Sequence, residues 1–482
     1  MTAETAPAPN FVAEDNDLHR VLGPGHLTLL GIGAIIGAGI FVATGQAAAQ
    51  FAGPAITLSF VIAGFGCLFA GLCYAELASM IPVAGSAYTY AYATLGHFVA
   101  WIIGWDLILE YLAAASAVAV AWSGYFSALM ADAGISIPPG LATAPIAWDG
   151  AYTLSFTGAI INVPAVALCA FLTALLLVGI HASATFNGVM VLLKTGIVVA
   201  VIVFGIWYVR ADYLTPFIPE NTGTVGEFGW SGIFRGAAVI FFAYIGFDAV
   251  SVAAQEAKNP QRDMPVGILG SLFICTVLYM LMSFVLTGIA PYDSLNVPNP
   301  VSVAVANVGP ALGWLVPLVN LGATIGLGTV VLVMLLGQAR IFYSMARDGM
   351  LPPAFASVHP KFRTPFLGTL ITGVTATALA AFLPDNLLIE LVNIGTLAAF
   401  VIVCVGVIVL RRTAPHHPRP FKTPFMPWVP LAGVAVCVTL MVSLPMATWI
   451  RFFGWMILGL VIYSTYSVRR ARTPRWTIRK EQ

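Results

Sequence analysis

Residues 30–42 read Leu-Gly-Ile-Gly-Ala-Ile-Ile-Gly-Ala-Gly-Ile-Phe-Val, a stretch as apolar as a membrane helix that nonetheless carries four glycines, Gly31, Gly33, Gly37 and Gly39. Each glycine weakens a helix by about 1 kcal/mol relative to alanine. Four of them within nine residues tip the chain towards extended backbone wherever another group satisfies the freed amides and carbonyls. Inside a bilayer such irregular backbone persists only where protein or a water-filled cavity covers it. The stretch therefore points to an interrupted span beside a binding cavity. A second reading stays open: Gly33 and Gly37 form a GxxxG face that lets two helices approach, which leaves Gly31 and Gly39 without a role.

The surrounding sequence places this stretch in a polytopic membrane protein. Of 482 residues 59% are hydrophobic and 9% charged, and the mean hydropathy is +0.93, a balance that one soluble core could not hide. With 21 basic against 20 acidic residues there is no polyanion-binding signal, so nucleic acid is not an expected partner. The six cysteines are scattered singly through apolar segments without metal-ligand spacing, and they read as small buried hydrophobes. No metal site is expected. Neither a Walker motif nor HExxH or GxSxG is present, which argues against a self-contained pump or an intramembrane enzyme.

At roughly 20 apolar residues per bilayer crossing, twelve spans can be marked, near 27–51, 55–81, 96–131, 160–180, 185–209, 231–256, 266–290, 311–345, 365–383, 387–410, 427–446 and 449–468. The third and eighth exceed one upright crossing. With both termini cytoplasmic, seventeen of the 21 Lys and Arg residues fall in inner segments. Residues 1–26 form a polar cytoplasmic tail without a secretory-signal layout, and 469–482 a basic one. Two blocks of five spans, 27–209 and 231–410, precede a final pair at 427–468. An odd number of crossings inverts the second block relative to the first, a transporter signature. The fold class is thus all-α, with a five-plus-five inverted repeat and broken spans one and six.

Span six supplies the second break, at Phe-Phe-Ala-Tyr-Ile-Gly-Phe-Asp, residues 241–248. Amides freed near Ala38, Gly39 and Ile40, next to Gly37, suit a carboxylate at a helix start. Carbonyls of Ile35, Ile36, Phe242, Ala243 and Ile245 suit an ammonium group. A zwitterionic amino acid carries both on one carbon.

On these residues the chain resembles the amino acid, polyamine and organocation (APC) transporter superfamily, most closely its bacterial cationic amino acid transporter (CAT) branch. The matching stretches are GIGAIIGAGIF at 31–41, CYAELASMIPVAGSAYTY at 73–90, GWDLILEY at 104–111, FFAYIGFDAVSVAAQEAKNPQRDMPVGI at 241–268 and ARDGMLPPAFASVHPKFRTP at 346–365. The resemblance implies a LeuT-like fold and alternating access around a central L-amino acid site. One departure stands out: Ala38 occupies the place where the family usually has Thr or Ser, so a hydroxyl contact to substrate is missing.

Ionisable residues inside spans are functional candidates by default. Lys194 lies in the middle of span five, too deep to reach either surface. Burial disfavours its charged form, and the resemblance implies that it reaches the carbonyls of the broken first span where related transporters hold a coupling sodium. It reads either as a proton carrier or as a permanently charged tie between spans five and one. Thr324 and Thr329 are not neighbours, so no sodium pair is evident and the proton is the expected coupling ion, without a cofactor. The resemblance places Glu110 near the deep end of the substrate cavity, where it attracts cationic side chains or organises water; the alternative is a structural acid within the bundle. Asp248 caps the inner half of span six or takes part in proton movement, and Glu76 is structural. By resemblance Met334 faces the substrate side chain and favours small or medium neutral amino acids, and Phe242 is an aromatic gate or core. The basic inner loops contact anionic lipid headgroups. The expected function is proton-coupled symport at the cell membrane, with exchange, cationic amino acid uptake and sensing without transport as alternatives.

Overall fold

The computed structural model describes residues 22–470 except 82–86, 149–152, 180–183, 249, 252–256 and 363. The expectations for the N-terminal tail with Arg20, for most of the basic C-terminal tail, and for the central part of the stretch at 252–256 lie outside the described residues. Among the described residues, seven helical segments are long and apolar enough to cross a membrane, and four shorter apolar helices accompany them.

The glycine-rich stretch ends helix α1 (Pro24–Ile35). Ile36 leaves the helical region with ψ of 102°, and the chain resumes as wide π-type turns at Gly39–Ala43 and Ala48–Ala52 around the short α2 (Thr44–Ala47). Then come α3 (Ile56–Met80), the short α4 (Ala87–Thr94) and the 36-residue α5 (His97–Asp132). A small hairpin of β1 (Ile146–Trp148) and β2 (Leu154–Phe156) follows α6 (Pro139–Ala142). Next are α7 (Val163–Val178), α8 (Ala184–Gly205) and α9 (Gly229–Ile240). The second half continues through α10 (Pro260–Ile289), α11 (Pro300–Asn307), α12 (Leu315–Arg347), α13 (Phe366–Phe382) and α14 (Asp385–Thr413). It closes with α15 (Trp428–Val442) and α16 (Met446–Thr465).

Helix α9 ends in a tight 3₁₀ turn at Phe241–Tyr244, after which Ile245 is extended (ψ 136°) and Gly246 adopts φ +111°. Only glycine takes that φ readily, and a Cβ there would also press on the Ala34 carbonyl. Both expected breaks are thus present, facing each other. Three details depart from the sequence reading. Helix α10 starts at Pro260, six residues before the marked boundary, with a proline at its first position, where a missing amide costs little. The short helices α4 and α11 were not marked, being too short to cross a bilayer.

The four glycines do not share one face. A Cβ on Gly31 would strike Ser271 of α10, one on Gly33 Val191 of α8, one on Gly39 the backbone of Ala243, and one on Gly37 would lie 3.3 Å from a methyl of Val330 on α12. They therefore let the broken segment touch four neighbours at backbone distance, and the two-glycine packing face is only part of their role.

Candidate functional site

Between the two breaks lies a narrow cleft whose free volume, about 10 Å³, is room for about one water molecule, so the two segments close on each other in this arrangement. Its walls include Ile35, Gly37, Ala38, Gly39, Phe242 and Ile245 from the broken segments, and Met334 from α12. Sequence reasoning named all seven. It missed Ala34 of α1, Ala114 and Val118 of α5 and Val330 of α12. The signal was available: Ala114 and Val118 follow Glu110 at four-residue steps, and Val330 precedes Met334 by four, the spacing of one helix face.

Four predicted residues stand behind the wall. The Ile36 carbonyl points to Lys194, whose Nζ donates to it at 2.8 Å and also to the Gly33 carbonyl. Lys194 is 1% exposed, so its ammonium is tied to the broken helix end instead of reaching solvent. Ile40 is fully buried in the π-type turn and packs in the core away from the cleft. The expectation for Ile40 concerned its backbone amide, which lies within this turn.

The carbonyl of Ala243, expected to meet a substrate ammonium, already has a donor: the hydroxyl of Tyr279 on α10 lies 2.9 Å from it and 2.9 Å from the carbonyl of Ile35. One phenolic proton thus serves both broken segments. Sequence reasoning overlooked Tyr279, since a tyrosine in an apolar helix carries no spacing signal of its own. Tyr125 of α5 makes a similar bond to the Phe41 carbonyl at 2.6 Å, and the Thr44 hydroxyl returns to the Gly39 carbonyl at 2.9 Å. Side chains from neighbouring helices thus satisfy several of the backbone groups around the interruption, as burial in an apolar medium requires.

Glu110 and Asp248 are buried, 2% and 6% exposed. Glu110 contacts the Thr396 hydroxyl of α14, with Asp248 and Asp106 as its neighbouring charges. The Asp248 carboxylate pairs with the Tyr111 hydroxyl. The capping role expected of Asp248 would fall on amides next to residues 249 and 252–256, which lie outside the described residues.

Away from the cleft two buried carboxylates are paired. Glu76, fully buried at the end of α3, receives Arg411 through two bonds of 2.8 Å, stands 3.4 Å from Arg419 and accepts the Thr423 amide at 2.7 Å. Arg235 donates to Glu390 at 2.7 Å with both side chains buried, and Thr448 adds a bond of 2.8 Å. Thr324 and Thr329 return their hydroxyls to Asn320 and Gly326 in their own helix. Among the described residues no group of His, Cys, Asp or Glu could hold a metal ion.

A profile of the family described as "Amino acid permease" matches residues 22–462. The chain is 46% identical over 94% of its length to the methylthioribose transporter of Bacillus subtilis, covering 95% of that protein. It is also 46% identical over 95% of its length to the branched-chain amino acid permease BcaP of the same organism, again covering 95% of it. With the vacuolar cationic amino acid transporter 4 of Arabidopsis thaliana it shares 40% identity over 83% of this chain and 64% of that one. These relatives are transporters and not enzymes. An uninterrupted match from the first described residue to the last helix, around two broken membrane segments, makes the chain a member of the amino acid permease family of the APC superfamily, a multi-pass membrane transport protein.

Proposed function

We propose that this protein is a proton-coupled symporter of L-amino acids with small or medium neutral side chains, working by alternating access. The reading takes the chain as twelve spans, with 27–209 and 231–410 as inverted repeats, both termini cytoplasmic, in the cell membrane. Backbone around Gly37, Ala38 and Gly39 receives the substrate carboxylate, and the second break its ammonium. Phe242 and Met334 border the side chain.

The observation that carries the coupling is the Lys194 ammonium on the carbonyls of Gly33 and Ile36. A charged lysine donates to those carbonyls and fixes the break. A neutral amine keeps only two donors and a lone pair that repels a carbonyl, so proton loss loosens the same contact and frees α1 to move. The proton and the break are then linked through one pair of bonds. Gradient-driven uptake follows if substrate binding and protonation favour the same arrangement.

The test is uptake of several L-amino acids into liposomes, with and without an imposed inward proton gradient, for the parent and for Lys194→Ala. Gradient-stimulated uptake in the parent and its loss in the variant is the expected result, with substrate binding retained in part. Transport insensitive to the gradient, or dependent on internal amino acid, rejects symport in favour of exchange. A second reading has its own support: at 46% identity one relative is a methylthioribose transporter and another a branched-chain amino acid permease, so the substrate is a matter of the side-chain wall more than of the fold. Competition by methylthioribose in the same liposomes separates the two.

A further inference from the structure

Helices α5 and α12 run antiparallel in a constant register. A Cβ on Gly104 would lie 2.8 Å from Met345, one on Gly337 2.5 Å from the Tyr111 ring, and one on Gly328 3.6 Å from Trp122, while Asn320 bonds to Asp132 at 2.7 Å. On that register Val118 is level with Val330 and Ala114 with Met334, and all four face the cleft. One turn further, about 5.4 Å, the same two faces present Glu110 and Gln338.

There the wall changes from apolar to polar. Gln338 is fully buried, and neither its amide nitrogen nor its amide oxygen meets a partner among the described residues. The Oε2 atom of Glu110 is in the same condition. A buried polar group left without a partner is strongly disfavoured, and three such atoms on Glu110 and Gln338, each one turn beyond the cleft-lining residues of its own helix, point to a group that arrives from outside the protein. Gln338 offers two N–H donors and an acceptor, and Glu110 an oxygen. An ammonium brings donors only and leaves the Gln338 nitrogen unmet, and an aliphatic end meets none of these atoms. A carboxamide brings both a donor and an acceptor, and a glutamine side chain has about the reach of one helical turn.

We propose that Glu110 and Gln338 form a distal subsite for the carboxamide end of a neutral amino acid of the glutamine type, which passes Met334 to reach it. The proposal rests on reading the cleft as the amino acid site. Uptake of L-glutamine and of L-leucine is measured in proteoliposomes of the parent, Gln338→Leu and Gln338→Glu, with L-lysine as competitor. The parent takes up glutamine, and Gln338→Leu lowers the ratio of glutamine to leucine uptake about tenfold. Where the leucine variant transports neither substrate, the near-isosteric Gln338→Glu decides: it lowers the same ratio and strengthens competition by lysine. An unchanged ratio in whichever variant transports overturns the proposal, as does a parent that takes leucine or lysine but not glutamine, either of which leaves the amino acid site itself standing. A parent that moves no amino acid rejects the underlying reading, and the subsite with it.

Discussion

Removing one oxygen atom from Tyr279 tests how the two broken segments are held together. Its hydroxyl is 2.9 Å from the Ile35 carbonyl and 2.9 Å from the Ala243 carbonyl, and the side chain is fully buried between α3, α10 and the breaks. Tyr279→Phe keeps the ring and its packing against Phe60 and Tyr244, at centroid distances of 5.4 and 5.5 Å. The change is therefore confined to the hydrogen bond. Interhelical hydrogen bonds in membrane proteins contribute about 0.6 kcal/mol on average and up to about 1.7. Two carbonyls lose a shared donor here, so about 0.6–2 kcal/mol is the expected cost to this arrangement. If the segments separate during transport, that cost shifts the balance between arrangements roughly three- to thirtyfold away from the one described, since 1.4 kcal/mol is a factor of ten. The assay pairs thermal unfolding of purified protein with the concentration dependence of uptake. A lowered unfolding temperature together with a shift in apparent substrate affinity of at least threefold is expected. A variant with parental unfolding temperature and parental uptake would show that the bridge does not hold the breaks.

Other consequences can be checked in the same preparations. Gly39→Ala abolishes uptake, because its Cβ meets the backbone of Ala243, whereas Gly37→Ala, 3.3 Å from a single Val330 methyl, retains a measurable fraction; equal loss in both would contradict the assignment of contacts. Arg235→Met and Glu390→Leu each cost about 3–5 kcal/mol by stranding a buried partner charge, while the double variant costs far less than the two together, as read by a double-mutant cycle of thermal stability. Arg411→Lys lowers stability by about 1–2 kcal/mol, because an ammonium cannot make the two parallel bonds to Glu76; parental stability would mean that Arg419 and the Thr423 amide suffice.

Both interruptions were legible in the sequence because glycine has a backbone meaning that survives without tertiary context: Gly246 had to be glycine for its φ, and Gly39 for its closeness to Ala243. Lys194 was legible for the opposite reason, as a charge too deep in an apolar span to be there by default. What escaped notice were partners supplied from far along the chain. Tyr279 and Tyr125 look like ordinary helix residues until folding sets them against Ile35 and Phe41. Glu76 was placed correctly as structural, but its guanidinium partners lie more than 300 residues away and no local pattern joins them. The carbonyl of Ala243 shows the limit in one atom: the sequence marks a freed acceptor and cannot say which donor reaches it first.

The clasp on Glu76 has a further consequence for how the chain can be shortened. Helix α14 ends at Thr413, yet Arg419 and the Thr423 amide come from the connection leading into α15. A protein cut after Thr413 would keep Arg411 but strip half the coordination from a carboxylate with no access to water. The segment leading to α15 and α16 is thus anchored to α3 by a buried ion, so a version shortened there would need Glu76 neutralised before it could be expected to assemble.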